Sequence, residues 1–439
     1  MILNSSIYGR LAPNGERIRN VAILGHVDHG KTTLADNILG YNRVISGKSV
    51  GDMLYMDYRA DERERGITMK SSCFSSIFIE KSTKFGYLVN FIDSPGHIDF
   101  VNEISVATNL ADSALIVIDV LEGLKSQTKE VLRQSVKKGL TMILVLNKID
   151  RCFQMYNDNS EIYEIFQVIK NSIEDVNSFV ASLLHLSSGY DENYFKPTEN
   201  NVIFSSCKDK WAFTLRSAAE RFIDIFGFQS KYTENLSDFL WDNYHYCFKS
   251  KEFKKISESK RLLSPSFVDI ILKPLLNRYN KLVEKDEDYI LKMLEKYKIS
   301  TFSMDDISAN KLTDLLKLTM NADFSAADCI LDTIIKCSPS PLFLDDENLP
   351  ILTTFKLYPL KSIDVLPFCK DKKIITDYLL KNKIVIMCQS KIISNKVTIS
   401  DQLKIMDNDE EFNVELILLQ IGKTLMPISE AYCGSIVCI

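Results

Sequence analysis

Between Gly25 and Thr32 the chain reads Gly-His-Val-Asp-His-Gly-Lys-Thr. Two glycines frame four residues, and a lysine and a hydroxyl follow. This is the spacing of a phosphate-binding loop, in which the backbone curls tightly enough to aim successive N–H groups at phosphate oxygens. In that pattern Lys31 reaches the outer phosphates and the Thr32 hydroxyl holds Mg²⁺. Gly25, His26, Asp28, His29, Gly30 and Thr33 complete the nucleotide-binding loop. The flanks fix the architecture. Residues 21–24, Val-Ala-Ile-Leu, are an uninterrupted apolar run, as expected of a strand buried on both faces. Residues 33–39 have helical character, and a helix N-terminus beneath the phosphates adds partial positive charge.

Similar apolar runs recur at 87–92, 115–119 and 142–146, with a shorter one at 202–204 and helical stretches between. The alternation predicts a mostly parallel α/β sheet covered by helices. Residues 75–79 are more mixed and suit an edge strand. Over 161–185, Ile162, Phe166, Ile169, Ile173, Val176, Val180 and Leu183 recur at helical spacing, a stripe best read as packing. From Phe228 lysines multiply, and helical segments at 266–284 and 286–297 predict an inserted helical subdomain. Ser325-Ala326-Ala327-Asp328 reads as a capping box, and the helix it opens must end before Pro339 and Pro341. Beyond it, β-rich runs at 384–388, 397–399, 414–419 and 435–439 predict a small β-barrel. The expected layout is a tail (1–16), a nucleotide domain (17–227), the insertion (228–320), a final helix and linker (321–344), and an incomplete or degenerate β-barrel (345–439).

Composition narrows the function. Lys plus Arg total 53 against 58 Asp plus Glu. No broad basic field exists, so any RNA contact must be local. No apolar window reaches membrane-spanning length, and Met1-Ile2-Leu3-Asn4 does not begin a signal peptide, which predicts a cytoplasmic protein with no membrane partner. The ten cysteines include no C-x-x-C pair and read as reduced thiols.

Four more motifs follow the loop's chemistry. Asp93-Ser94-Pro95-Gly96-His97 ends the run at 87–92: Asp93 suits Mg²⁺ and the Gly96 N–H a γ-phosphate oxygen. Asn147-Lys148-Ile149-Asp150 ends the run at 142–146. The Asp150 carboxylate can accept guanine N1–H and N2–H, which adenine does not offer. The Asn147 amide can bond the base and brace the phosphate loop, and the Lys148 stem can cover the base. Ser205-Ser206-Cys207 can present a backbone N–H to guanine O6. Arg65-Gly66-Ile67-Thr68 lies where a switch loop places a hydroxyl, that of Thr68, on Mg²⁺. Together they predict a P-loop GTPase domain.

Gly-His-Val-Asp-His-Gly-Lys-Thr, Arg-Gly-Ile-Thr and Asp-Ser-Pro-Gly-His resemble the translational GTPases. That resemblance implies that His97 orients the attacking water, that Val27 and Ile67 form an apolar gate beside it, and that Asp28 helps hold a monovalent cation. His26 and His29 would be structural or ribosome-facing. Within the family, Trp241-Asp242-Asn243-Tyr244, Leu272-Lys273-Pro274-Leu275 and Ser338-Pro339-Ser340-Pro341 resemble the elongation factor 2-like branch. Leu54-Tyr55-Met56-Asp57 and Gly66-Ile67-Thr68-Met69-Lys70-Ser71-Ser72 favour the branch that matures the large (60S) ribosomal subunit. The resemblance implies a monomeric, ribosome-stimulated GTP hydrolase using GTP/GDP and Mg²⁺. Its partners would be large-subunit ribosomal RNA, the anti-association initiation factor it releases, and the Shwachman–Bodian–Diamond protein. A translocase of the elongation factor 2 type, and a non-catalytic GTP-gated binder of idle ribosomes, stay open; His97 beside Gly96 favours catalysis. Asn109 and Cys207 depart from the family's usual arginine and alanine. The family continues into further domains, and the apolar strand-like end 435–439 suggests that Ile439 is not a natural terminus.

Overall fold

Strand β1 (Ile18–Gly25) begins three residues before the apolar run that announced it. Arg19 and Asn20 are buried in it; hydrogen bonds take up Asn20 and one end of the Arg19 guanidinium, whose Nε has no hydrogen-bond partner among the described residues. The Arg19 guanidinium donates to the carbonyls of Glu16 and Ile18 at 2.7 Å. The Asn20 amide donates to Asp112 Oδ2 (2.9 Å) and the Gly434 carbonyl (3.0 Å), and its oxygen accepts from Asn90 (2.8 Å). The computed structural model describes residues 5–41, 72–96, 101–156, 161–184, 194–226, 228, 235–241, 244–256, 263–299, 309–341, 352–360, 385–404, 411–421 and 424–439.

Seven strands form the main sheet: β1, β2 (Ser72–Ile79), β3 (Gly86–Asp93), β4 (Ser113–Asp119), β5 (Thr141–Asn147), β6 (Val202–Ser206) and β7 (Trp211–Phe213), in the order β2-β3-β1-β4-β5-β6-β7. Pairing is parallel from β3 to β6 and antiparallel at both edges. β1 therefore sits between β3 and β4, where the chain's path across the sheet reverses. Open α/β sheets bind ligands at that point, beyond the carboxyl ends of the strands. Register sets Ile23 beside Asp93, Gly25 beside Val117 and Asp119 beside Asn147 along one edge.

Alternation along the strands divides the core. Val21, Ile23, Phe91, Val117 and Val145 pack against Leu34, Ala35 and Ile38 of the helix Lys31–Tyr41 and against Ile330 and Ile334 of the helix Ala326–Cys337. Ala22, Leu24, Ile116 and Leu144 face Ile104, Leu132, Ile165 and Ile169 on the other side. Each fully buried aliphatic side chain contributes about 1.5–3 kcal/mol, so both faces hold the sheet firmly.

Half of the capping box forms: Ser325 Oγ accepts from the Asp328 N–H, while the Asp328 carboxylate meets Lys81 instead of the Ser325 N–H, and the helix stops at Cys337. The expected amphipathic helix runs Ile162–Leu183. Between Phe228 and Asp323 lie the helices Lys273–Val283, Glu287–Lys296 and Ala309–Asp323. The same stretch carries a hairpin, β8 (Tyr244–Cys247) with β9 (Glu252–Lys255), which its many lysines conceal. A π-helical segment, Phe267–Leu272, leads into Pro274, whose ring nitrogen cannot donate to the preceding turn.

After residue 351 the described chain is β-rich. Leu352–Leu360, Val385–Ile392, Ile436–Cys438, Ile417–Ile421 and Thr424–Ile428 form a five-stranded sheet in that order, with two small ribbons beside it. This domain shares a core with the N-terminal helix Ser5–Leu11 and the main sheet, through Tyr8, Ile18, Leu88, Ile417, Leu419 and Val437. Tyr8 and Ser435 hydrogen-bond at 2.8 Å, and Lys391 Nζ reaches the Leu110 carbonyl at 2.8 Å and Asp112 at 2.9 Å. Among the described residues no helix is long and apolar enough to cross a membrane.

Candidate nucleotide-binding site

The loop from Gly25 to Thr32 leaves β1 at the sheet's carboxyl edge and enters the helix Lys31–Tyr41. Asp28 (φ 60°) and Gly30 (φ 96°) take the left-handed conformation that curls the loop. Lys31 is buried, and its Nζ donates to the His26 carbonyl at 2.6 Å. Burial pulls the Lys31 ammonium below its usual value, against the nearby carboxylates of Asp93 and Asp28. Thr32, Thr33 and Val27 are half-buried, and Asp28 is exposed.

The end of β3 presses on this loop. A Cβ added at Gly96 would lie 2.4 Å from Lys31 Nζ and 2.8 Å from the Val27 nitrogen, so only glycine fits. Asp93 is fully buried there, and Ser94 Oγ anchors the turn to the Ile23 carbonyl at 2.9 Å. Ile67, Thr68 and His97 lie outside the described residues.

Asn147 ties three segments together. Its Nδ2 donates to the His29 carbonyl (2.9 Å), and its Oδ1 accepts from the Cys207 N–H (3.0 Å) and Ser205 Oγ (3.3 Å). Cys207 and Ser206 are buried, and the Cys207 carbonyl accepts from Asn37 at 2.9 Å. Lys148, at φ 65°, turns the chain into the helix Ile149–Met155. Its ammonium stands 3.1 Å from Asp119 Oδ2, which Arg151 also contacts. Burial alone would raise the Asp119 carboxyl; Lys148, the Leu121 N–H and Arg151 outweigh it and hold it below the usual carboxylate range. Asp150 sits in the helix's first turn with only 3% of its surface exposed, and its Oδ1 has no hydrogen-bond partner among the described residues.

His29 is fully buried. Its ring lies 3.3 Å from the Val117 carbonyl through Nδ1 and 3.7 Å from Glu122 through Nε2, edge-on to half-buried His26. Its side chain is part of the loop's support, while its carbonyl serves Asn147. Sequence reasoning missed Asn37 and Asp119. Asp119 was visible as the polar end of an apolar run; nothing in the sequence marked Asn37, whose partner is 170 residues away.

The residues fit a magnesium-bound guanine nucleotide. A glycine cradle closes on the lysine that would meet phosphate, the buried Asp93 carboxylate beside it could hold the metal, and the buried Asp150 Oδ1 could accept from the base. A strand–loop–helix phosphate cradle at the reversal point of a mostly parallel sheet defines a P-loop nucleotide-binding protein. The chain belongs to the elongation factor Tu GTP binding domain family, which it matches over residues 16–337. It is 35% identical to mouse elongation factor-like GTPase 1 over 318 residues, covering 65% of this chain and 28% of that protein. It is 34% identical to ribosome assembly protein 1 of Saccharomyces cerevisiae over 372 residues (77% and 33%), and 35% identical to the protein of that name in Schizosaccharomyces pombe over 348 residues (76% and 34%). The chain thus spans at most about a third of the length of these relatives.

Proposed function

We propose that this chain binds GTP and GDP with Mg²⁺ and hydrolyses GTP in contact with the large ribosomal subunit, in cytoplasmic 60S maturation. Asp150 carries the nucleotide half of this reading, because a buried carboxylate oxygen without a partner is costly unless a ligand such as the guanine N1–H and N2–H edge satisfies it. The ribosomal half rests on the relatives named for ribosome assembly.

In this reading Gly25, His26, Asp28, His29, Gly30 and Thr33 form the phosphate loop, Lys31 neutralises the outer phosphates, and the Gly96 N–H meets the γ-phosphate. Asn147, Lys148, Asp150 and the Ser205–Ser206–Cys207 loop hold the base. Thr32, Thr68 and Asp93 would hold Mg²⁺, which when bound spreads the negative charge of the transferred group. Asp28 would share in holding a monovalent cation. His97 orients the nucleophilic water, and Val27 and Ile67 keep it turned away until ribosomal RNA phosphate draws the imidazole inward and favours its charged form. The work done by hydrolysis is release of the anti-association initiation factor, in concert with the Shwachman–Bodian–Diamond protein, by a monomer. Single-turnover GTP hydrolysis with and without purified large subunits tests this. Stimulation on the order of 10⁵-fold is physically attainable for a partner-activated GTPase. His97→Ala should keep GTP affinity and lose most of that stimulation; a variant that keeps the stimulated rate removes His97 from the chemistry.

A further inference from the structure

Just beyond Cys207 the chain buries a second carboxylate, Asp209, with 4% of its surface exposed. Its backbone N–H donates to Ser206 Oγ at 3.2 Å, so it belongs to the same loop. Its Oδ2 accepts a hydrogen bond of 2.6 Å from the hydroxyl of Tyr279, on the helix Lys273–Val283 of the insertion. Tyr279 in turn accepts from Trp211 Nε1 at 2.9 Å, where the loop leaves into β7. The same tyrosine ring lies 5.1 Å from the ring of Phe153, in the helix that opens with Ile149 and Asp150, and Phe153 stacks on Trp211 at 6.5 Å. One side chain of the insertion thus touches both segments assigned to the base, through a hydrogen bond on one and ring packing on the other.

We propose that Tyr279 is a positioning residue for the guanine base: it holds the 205–209 loop and the Asp150 helix in register, so that the packing of the insertion sets how long a nucleotide stays bound. This rests on the reading of Asp150 and Cys207 as base-binding. A buried carboxylate needs its donors, and Tyr279 supplies the side-chain one. Burial, and after it the neighbouring Asp150 carboxylate, push the Asp209 carboxyl up, while the Tyr279 hydroxyl pulls it down. Without that hydroxyl, Asp209 gains by moving away from Asp150 toward water. The loop that carries Cys207, whose N–H the Asn147 side chain accepts here, would move with it. These contacts reach the phosphate loop through Asn147, at the His29 carbonyl, and not at Lys31 or Gly96, so the effect should be equal for nucleotides with two and three phosphates.

Stopped-flow dissociation of mant-GDP and mant-GTP from the whole chain tests the proposal. Wild type must first hold mant-GDP against excess ADP; if ADP displaces it, the base reading itself fails. Given that it holds, Tyr279→Phe should release both nucleotides about tenfold faster with an unchanged association rate, the loss of one hydrogen bond to a charged group. Asp209→Ala should do the same, and the double variant should be no faster than either single one. Asp209→Asn, which keeps an acceptor for Tyr279, should stay near the wild-type rate, and it decides the matter together with Asp209→Ala if Tyr279→Phe fails to fold. Wild-type dissociation from Tyr279→Phe, additive effects in the double variant, a loss confined to mant-GTP, or equal losses for Asp209→Asn and Asp209→Ala would each overturn it.

Discussion

Asn147 Oδ1 accepts the backbone N–H of Cys207 at 3.0 Å, across 60 residues of sequence. With its Nδ2 on the His29 carbonyl, this one amide sets the spacing between the phosphate loop and the base loop. Asn147→Ala leaves a buried donor and a buried acceptor unsatisfied, a cost of about 1–3 kcal/mol each. The expected result is a lower unfolding midpoint in urea and weaker binding of GDP and GTP alike. Normal stability with normal binding would show that the brace is dispensable.

Asp150→Asn should turn the base preference from guanine toward xanthine. An amide donates where the carboxylate accepted, so guanine loses its match and the 2-oxo group of xanthine gains one. Sites built on such bonds reject the wrong partner by roughly 10⁴-fold. Competition between labelled guanosine and xanthosine diphosphates reads the switch. Unchanged guanine preference would remove Asp150 from the base pocket.

Lys31 and Gly96 are predicted to fail in the same direction. Lys31→Ala removes the charge that faces the outermost phosphate. Gly96→Ala puts a carbon 2.4 Å from Lys31 Nζ and 2.8 Å from the Val27 nitrogen, so the lysine and the loop backbone must both give way. Each should weaken GTP roughly tenfold or more beyond its effect on GDP, the scale of one charge-assisted bond. Equal losses for both nucleotides, measured by calorimetry, would contradict a γ-phosphate role.

The site's motifs were legible because they are local: the loop's glycines and lysine fall in one short turn, and Asp150 lies just past the end of its strand. The parallel strands were legible because burial on both faces leaves an unbroken apolar run. What escaped notice depends on partners far along the chain. β1 begins at Ile18 only because Arg19 and Asn20 find acceptors and donors as distant as Gly434. β7 is three residues long, too short for any period to show, and is fixed by pairing with β6. The β8–β9 hairpin hid in a lysine-rich stretch, although inward Tyr246 and Phe253 carry its apolar face.

His29 should make stability depend on acid. Burial lowers its pKa to about 4, with the Val117 carbonyl and the Glu122 and Asp119 carboxylates opposing and His26 assisting. The folded chain keeps the ring neutral while the unfolded chain protonates it near its ordinary value of about 6.5. Its contribution is therefore complete above that pH and is lost as pH falls toward 4, amounting to roughly 3 kcal/mol in all. Urea midpoints of the nucleotide-free chain should fall across this window, and the fall should be shallower in His29→Gln. Parallel profiles would show that another group carries the dependence.

The three ties of Asn20 also carry a timetable. Its partners lie 70, 92 and 414 residues further on, at Asn90, Asp112 and Gly434. A chain made at about 5–20 residues per second supplies the first two within roughly 20 s, but the last only after some 20–80 s. Through that interval the root of the phosphate-loop strand holds an amide hydrogen still without its final acceptor. The polar start of this strand is therefore among the last parts of the main sheet to find all its partners during synthesis.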